Sequence, residues 1–110
     1  MIFEPWQVVV VPFPFAEVAG SKRRPALVLS RRSFNDGGHL ILAMITSKSE
    51  PAWQGDGWIE DSESAGLDRR CLVRMKLFTL DSRLIVRLIG RLSDADVQRV
   101  KARLANCLGI

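Results

Sequence analysis

Val8-Val9-Val10-Val11-Pro12-Phe13, and after it Pro25-Ala26-Leu27-Val28-Leu29-Ser30, are short β-branched or apolar runs bounded by Pro and Gly. Side chains of this kind fit a pleated surface, so both runs predict strands. Between them, Pro14 to Arg24 contains Pro14, Gly20 and Ser21 and ends in three cations, which predicts an exposed, mobile connection suited to binding. A third run, His39-Leu40-Ile41-Leu42-Ala43-Met44-Ile45-Thr46, follows Asn35-Asp36-Gly37-Gly38, a hairpin signal that sets this strand beside the second. Ser47 to Gly57 reads as a long loop, Trp58-Ile59-Glu60 as a brief strand, and Cys71 to Lys76 and Leu84 to Gly90 as two more strands. Ser93-Asp94-Ala95-Asp96 offers a hydroxyl cap and two carboxylates to a helix start. Val97, Val100, Leu104 and Leu108 then recur on one helical face until Gly109. The expected class is mainly β: a small barrel closed by one C-terminal amphipathic helix.

With 110 residues, the chain is expected to form one unit over 1–110, since two cores of half that size would bury too little apolar surface. Hydrophobic residues at 47% and charged residues at 25% disfavour disorder. The longest apolar runs fall far short of the roughly 18 residues of a membrane span, and no basic segment precedes an apolar one at Met1-Ile2-Phe3-Glu4-Pro5, so a cytoplasmic protein is expected. Cys71 and Cys107 are far apart and lack zinc-ligand spacing, so they read as small core residues, and neither metal nor cofactor is expected. A formal charge of +4 favours a polyanionic partner. The cations cluster as Lys22-Arg23-Arg24, Arg31-Arg32, Arg69-Arg70, and Arg74 with Lys76, although any one such cluster is also compatible with an ordinary solvated surface.

Val9 to Phe15, followed by Gly20-Ser21-Lys22-Arg23-Arg24-Pro25-Ala26-Leu27-Val28-Leu29-Ser30, resembles the N-terminal signature of the MazF/PemK family of toxin-antitoxin ribonucleases. Met44-Ile45-Thr46-Ser47 resembles the end of that family's third strand, and Val73 to Leu80 its fifth-strand block. Gly90-Arg91-Leu92-Ser93, the helix after it and Leu108-Gly109 continue the likeness over nearly the whole chain. The resemblance implies an SH3-like β-barrel of the CcdB/MazF kind, a homodimer, metal-independent cleavage of single-stranded RNA and neutralisation by a cognate antitoxin protein. Two positions depart from the pattern: Trp6-Gln7 stands where a Gly-Asp pair is usual, and no acidic residue follows Arg74.

Cleavage without a metal uses the 2′-hydroxyl as nucleophile, so the protein must help remove its proton, neutralise the charge growing on phosphorus and protonate the leaving 5′-oxygen. On the family's pattern, Arg24 and Thr46 are the expected catalytic pair. A guanidinium is a fork of donors matched to phosphate oxygens, and because it keeps its proton at neutral pH it suits charge stabilisation rather than service as base. The Thr46 hydroxyl is placed to bond a non-bridging oxygen, with Ser47 assisting; a Thr-Ser pair at a strand end is also an ordinary turn starter. Lys22, Arg23, Arg74 and Lys76 are the expected RNA-backbone contacts, the last two sharing a strand face. Trp53 or Trp58 is a candidate for stacking an unpaired base, the alternative for each being a place in the core. His39 lies seven residues from Thr46, roughly 23 Å along the strand, too far to serve as base in the same subunit. The rival expectation is a catalytically inactive RNA- or protein-binding module of the same fold. A DNA-binding regulator ranks last because the helix commits its apolar stripe to packing.

Overall fold

The computed structural model describes residues 1–13 and 22–110. In chain order these form β1 (Gln7–Phe13), β2 (Lys22–Val28), a short helix α1 (Arg32–Asn35), β3 (His39–Thr46), β4 (Gly57–Trp58), β5 (Leu72–Asp81), a 3-10 turn (Ser82–Leu84), β6 (Arg87–Arg91) and α2 (Asp94–Cys107). The strands form one curled sheet in the order β4-β5-β3-β2-β1-β6, antiparallel at every pairing.

The unbroken valine run of β1 reflects burial on both sides of the sheet. Val8 packs with Leu27, Ala43, Ile45, Val73, Leu92, Val97 and Val100 in a core roofed by α2. Val9 and Val11 point the other way, into a second cluster with Ala26, Val28, Leu40, Leu42 and Leu80, flanked by Phe3, Phe78, Leu84 and Ile85. A strand covered on both faces has no polar face to alternate with. Between Arg74, opposite Met44, and Leu77, opposite Ala43, β5 carries two extra residues, Met75 and Lys76. Such a bulge bends the strand and strengthens the curl.

The free edge of β6 is covered by the turn after β4: Arg91 N–H donates to the Ser64 carbonyl at 3.0 Å and the Ser64 hydroxyl donates to the Arg91 carbonyl at 2.8 Å. This approach requires Gly90, because a Cβ there would lie 2.3 Å from the Ala65 carbonyl carbon. The helix begins as its sequence predicts, with the Ser93 hydroxyl accepting from Asp96 N–H at 3.2 Å. Asp96 does more than complement the helix dipole. Its buried carboxylate accepts from Glu60 N–H at 3.1 Å, Asp61 N–H at 3.0 Å and Arg99 at 2.8 Å, tying α2 to the segment that closes the sheet. Burial alone would raise its pKa, but these hydrogen bonds and that from Ser93 hold it below the usual value.

Several expectations are corrected. Lys22, Arg23 and Arg24 lie in β2 rather than in a loop, because β1 and β2 zip together as far as Phe13–Lys22; residues 14–21 of the expected connection lie outside the described residues. The second strand stops at Val28, and the hairpin signal at Asn35–Gly38 closes a helical turn instead of a tight hairpin. Buried Asn35 explains this: it bonds the Ser30 hydroxyl and donates to the carbonyls of Phe3 at 2.8 Å and Ser30 at 3.0 Å. The strand expected from Leu84 starts only at Arg87, behind the 3-10 turn that Asp81 caps, and Leu108 leaves the helix and stays exposed. Both cysteines are free, Cys71 buried and Cys107 half-buried. Trp6, at the expected family glycine, has a φ of 73°, a region where glycine is unstrained and tryptophan is not. Backbone bonds from Trp6 N–H to Val28 at 2.7 Å and from Leu92 N–H to Trp6 at 2.9 Å hold it there, with its ring against the α2 core. Among the described residues no helix is long and apolar enough to cross a membrane.

Candidate functional site

Residues directly opposite one another in an antiparallel pair project from the same face of the sheet. The β2–β3 ladder pairs Val28 with Leu42, Leu27 with Ala43 and Ala26 with Met44. Carried two residues further, the same register sets Arg24 across from Thr46. Arg74 of β5 lies opposite Met44, and Phe13 of β1 opposite Lys22. Lys22, Arg24, Thr46, Arg74, Lys76 and Phe13 therefore share one face, beyond the end of the second apolar cluster. Arg23 alternates to the other face, where with Val10, Pro25, Leu67, Asp68 and Arg87 it lines a cavity of about 380 Å³ that Arg24 also borders.

On the shared face two cations converge on one ring: the Arg24 guanidinium carbon lies 5.7 Å, and Lys76 Nζ 5.9 Å, from the centre of Phe13. Arg24 Nε is buried and meets no acceptor among the described residues. Thr46 is buried, at 9% exposure, and its hydroxyl accepts from Lys48 N–H at 3.2 Å, the turn-starting contact. Ser47 beside it is exposed.

Arg74 is held by an acidic partner that no local sequence pattern announces. Its Nε and Nη2 donate to Asp56 at 3.1 and 2.8 Å, and Nη2 also donates to the Ser49 hydroxyl at 3.0 Å. Side-chain exposure is 12% for Arg74 and 0% for Asp56. The other Asp56 acceptor bonds come from Ala52 N–H at 2.8 Å and Trp53 N–H at 2.9 Å. Burial pushes the Asp56 carboxyl up, but bonds from Arg74, Ala52 and Trp53 outweigh it and leave the pKa lowered; the bond to Asp56 raises Arg74. Asp56, this ion-pair partner of Arg74, lies eighteen positions earlier in the chain.

Of the remaining candidates, His39 pairs with Asp81 at the end of β3 opposite Thr46, as its position in the strand predicts. Trp58 is half-buried under Arg70, whose guanidinium carbon lies 3.8 Å from the ring centre, whereas Trp53 is 48% exposed. Burial pushes the Cys71 thiol up, so it is no ready nucleophile.

A family model described as PemK-like, MazF-like toxin of type II toxin-antitoxin system matches residues 4–108. None of the curated proteins matches the sequence. Among solved structures, MazF from Deinococcus radiodurans is 23% identical, covers 100% of this chain and 99% of its own, and superposes with a TM-score of 0.76. A MazE-MazF complex from the same organism is 20% identical over 100% and 99%, with a TM-score of 0.78. A structure described as an endoribonuclease in complex with its cognate antitoxin, from a mycobacterial species, is 16% identical over 98% and 96%, with a TM-score of 0.78. At these identities the structural likeness establishes the fold.

Proposed function

We propose that this chain, which belongs to the PemK-like, MazF-like toxin family of type II toxin-antitoxin systems, is a metal-independent endoribonuclease that cuts single-stranded RNA, mRNA above all, and so blocks translation. The observation that carries the reading is the face on which Arg24 and Lys76 converge on the Phe13 ring, with Thr46 ending the neighbouring strand β3.

In this reading the 2′-hydroxyl gives up its proton to water as its oxygen bonds phosphorus, the P–O5′ bond breaks and the 5′-oxygen takes a proton from water, leaving a 2′,3′-cyclic phosphate and a 5′-hydroxyl. Arg24 bonds the non-bridging oxygens and favours the doubly charged phosphorane over the singly charged ground state. Thr46 turns its hydroxyl proton, uncommitted by the turn bond it accepts, toward the same oxygens. Lys22 and Lys76 neutralise flanking phosphates, and Ser47 assists from the exposed rim. Arg74, its charge matched by Asp56, touches RNA only by its exposed edge and chiefly braces the loop that carries Trp53. Arg23, on the other face, meets the strand only where RNA wraps the sheet end.

The same cations form the footprint expected to receive a cognate antitoxin's acidic segment, and the toxin acts as a homodimer. The second reading, a binding module without catalysis, draws on the bond by which the Thr46 hydroxyl starts a turn. Incubation with a long single-stranded RNA in EDTA separates the two. Discrete cuts by the wild type, lost in Arg24→Ala and Thr46→Ala while RNA binding persists, support the nuclease; intact RNA across varied sequences supports the module.

A further inference from the structure

We infer that Trp53 is the base-stacking platform of this site, holding an unpaired nucleobase next to the phosphate at Arg24 and favouring a purine there. The inference rests on the RNA-cleaving reading above and names a specificity residue within it.

Three tryptophans are present, and the structure gives them different work. Trp6 packs on the α2 core and Trp58 lies beneath Arg70. Trp53 belongs to neither apolar cluster and leaves 48% of its surface exposed, which core packing does not explain. Its loop is nevertheless braced. One carboxylate oxygen of Asp56 accepts both Ala52 N–H and Trp53 N–H, Asp56 N–H returns to the Trp53 carbonyl at 3.0 Å, and Arg74 bonds Asp56 and Ser49 together. Arg74 also lies 5.1 Å from the indole centre, steadying the ring from one side. A large aromatic surface fixed before the ligand arrives costs little entropy to use.

Its position suits the role. Arg74 stands opposite Met44, and Met44 opposite Ala26, so the residue bracing Trp53 lies two strand spacings, about 10 Å, across the sheet from β2. A strand whose phosphate is held at Arg24 and Lys76 thus passes the indole with a neighbouring nucleotide. Every base has a face to stack, and the larger purine face stacks more strongly, which produces preference without hydrogen-bond readout.

The test uses 2′-O-methyl RNA oligonucleotides, purine-rich or pyrimidine-rich, which cannot be cut through the 2′-hydroxyl. Tryptophan fluorescence of the wild type should be quenched on binding, and the quench should vanish in Trp53→Phe, in which Trp6 and Trp58 remain. Trp53→Ala should weaken binding about tenfold and erase the purine preference, with Trp53→Phe intermediate. In parallel, sites cut in a random RNA pool should lose a purine bias at one position near the cut in Trp53→Ala and retain it in Trp53→Phe. Thermal melts of both variants report on folding, and Trp53→Phe keeps the test sound if the alanine variant is loosened. Unchanged affinity, quench and cut-site spectrum in both variants overturn the inference even if the protein cuts RNA. Stacking lost in Trp53→Ala, with no cleavage by the wild type, upholds the platform and sinks the nuclease reading.

Discussion

Asp56→Ala should destabilise the fold by about 3 kcal/mol, the lower end of what removing one partner of a buried ion pair costs. The carboxylate accepts from Arg74 Nε and Nη2 and from two backbone N–H groups, and its side chain is wholly enclosed. Truncation leaves the guanidinium, 12% exposed, without its countercharge and two amides without an acceptor. The lower end applies because the exposed loop can open to water. For a chain of this size the melting temperature should fall by about 12 °C. Urea unfolding of Asp56→Ala, Arg74→Met and the double variant supplies the decisive quantity, with a coupling of about 2 kcal/mol expected. The pH dependence follows from the lowered Asp56 pKa. A carboxylate depressed in the folded state contributes fully above its unfolded value, and its contribution is lost as pH falls through the folded one. The gap between wild type and Asp56→Ala should therefore be full at pH 7 and shrink below about pH 4. A loss under about 1 kcal/mol, or no coupling, would refute the claim that this pair holds the loop.

Three further outcomes are expected. Asp96→Ala should cost about 2 kcal/mol, since it orphans the Glu60 and Asp61 amides, and hydrogen exchange should quicken at those two amides before the rest of the sheet. Gly90→Ala should lose about 2 kcal/mol because its Cβ meets the backbone at Ala65; wild-type stability in a urea melt would contradict the close approach that covers β6. Arg24→Lys keeps the charge but not the fork of donors, and should lower cleavage about 100-fold with an unchanged melting temperature, as read by initial rates on one RNA.

How far the sequence discloses this molecule depends on the range of the interactions. β3 has the bounds its apolar run predicts, and α2 starts at its cap, because turn residues and a capping hydroxyl are local causes. The start of β2 was hidden because pairing with β1, rather than propensity, draws Lys22 to Arg24 into the sheet. Helix α1 was hidden because buried Asn35 stabilises it through contacts as distant as Phe3. At the site, period-two alternation places Arg74 and Lys76 on one face, but that β2 and β3 are neighbours, with Ala26 opposite Met44, depends on a long-range register that no short window contains. The expectation that Arg24 and Thr46 act together came from the family likeness, not from the residues alone. Asp56 lies between two glycines in a loop, and nothing near it in sequence points to Arg74.

The chemistry of the cut ends tests the central claim most directly. RNA digested in EDTA should yield 5′-hydroxyl fragments that a kinase labels without prior phosphatase treatment, and partner ends carrying a 2′,3′-cyclic phosphate that acid opens. Fragments with 5′-phosphates, or RNA left whole, would contradict attack by the 2′-hydroxyl at Arg24 and Thr46.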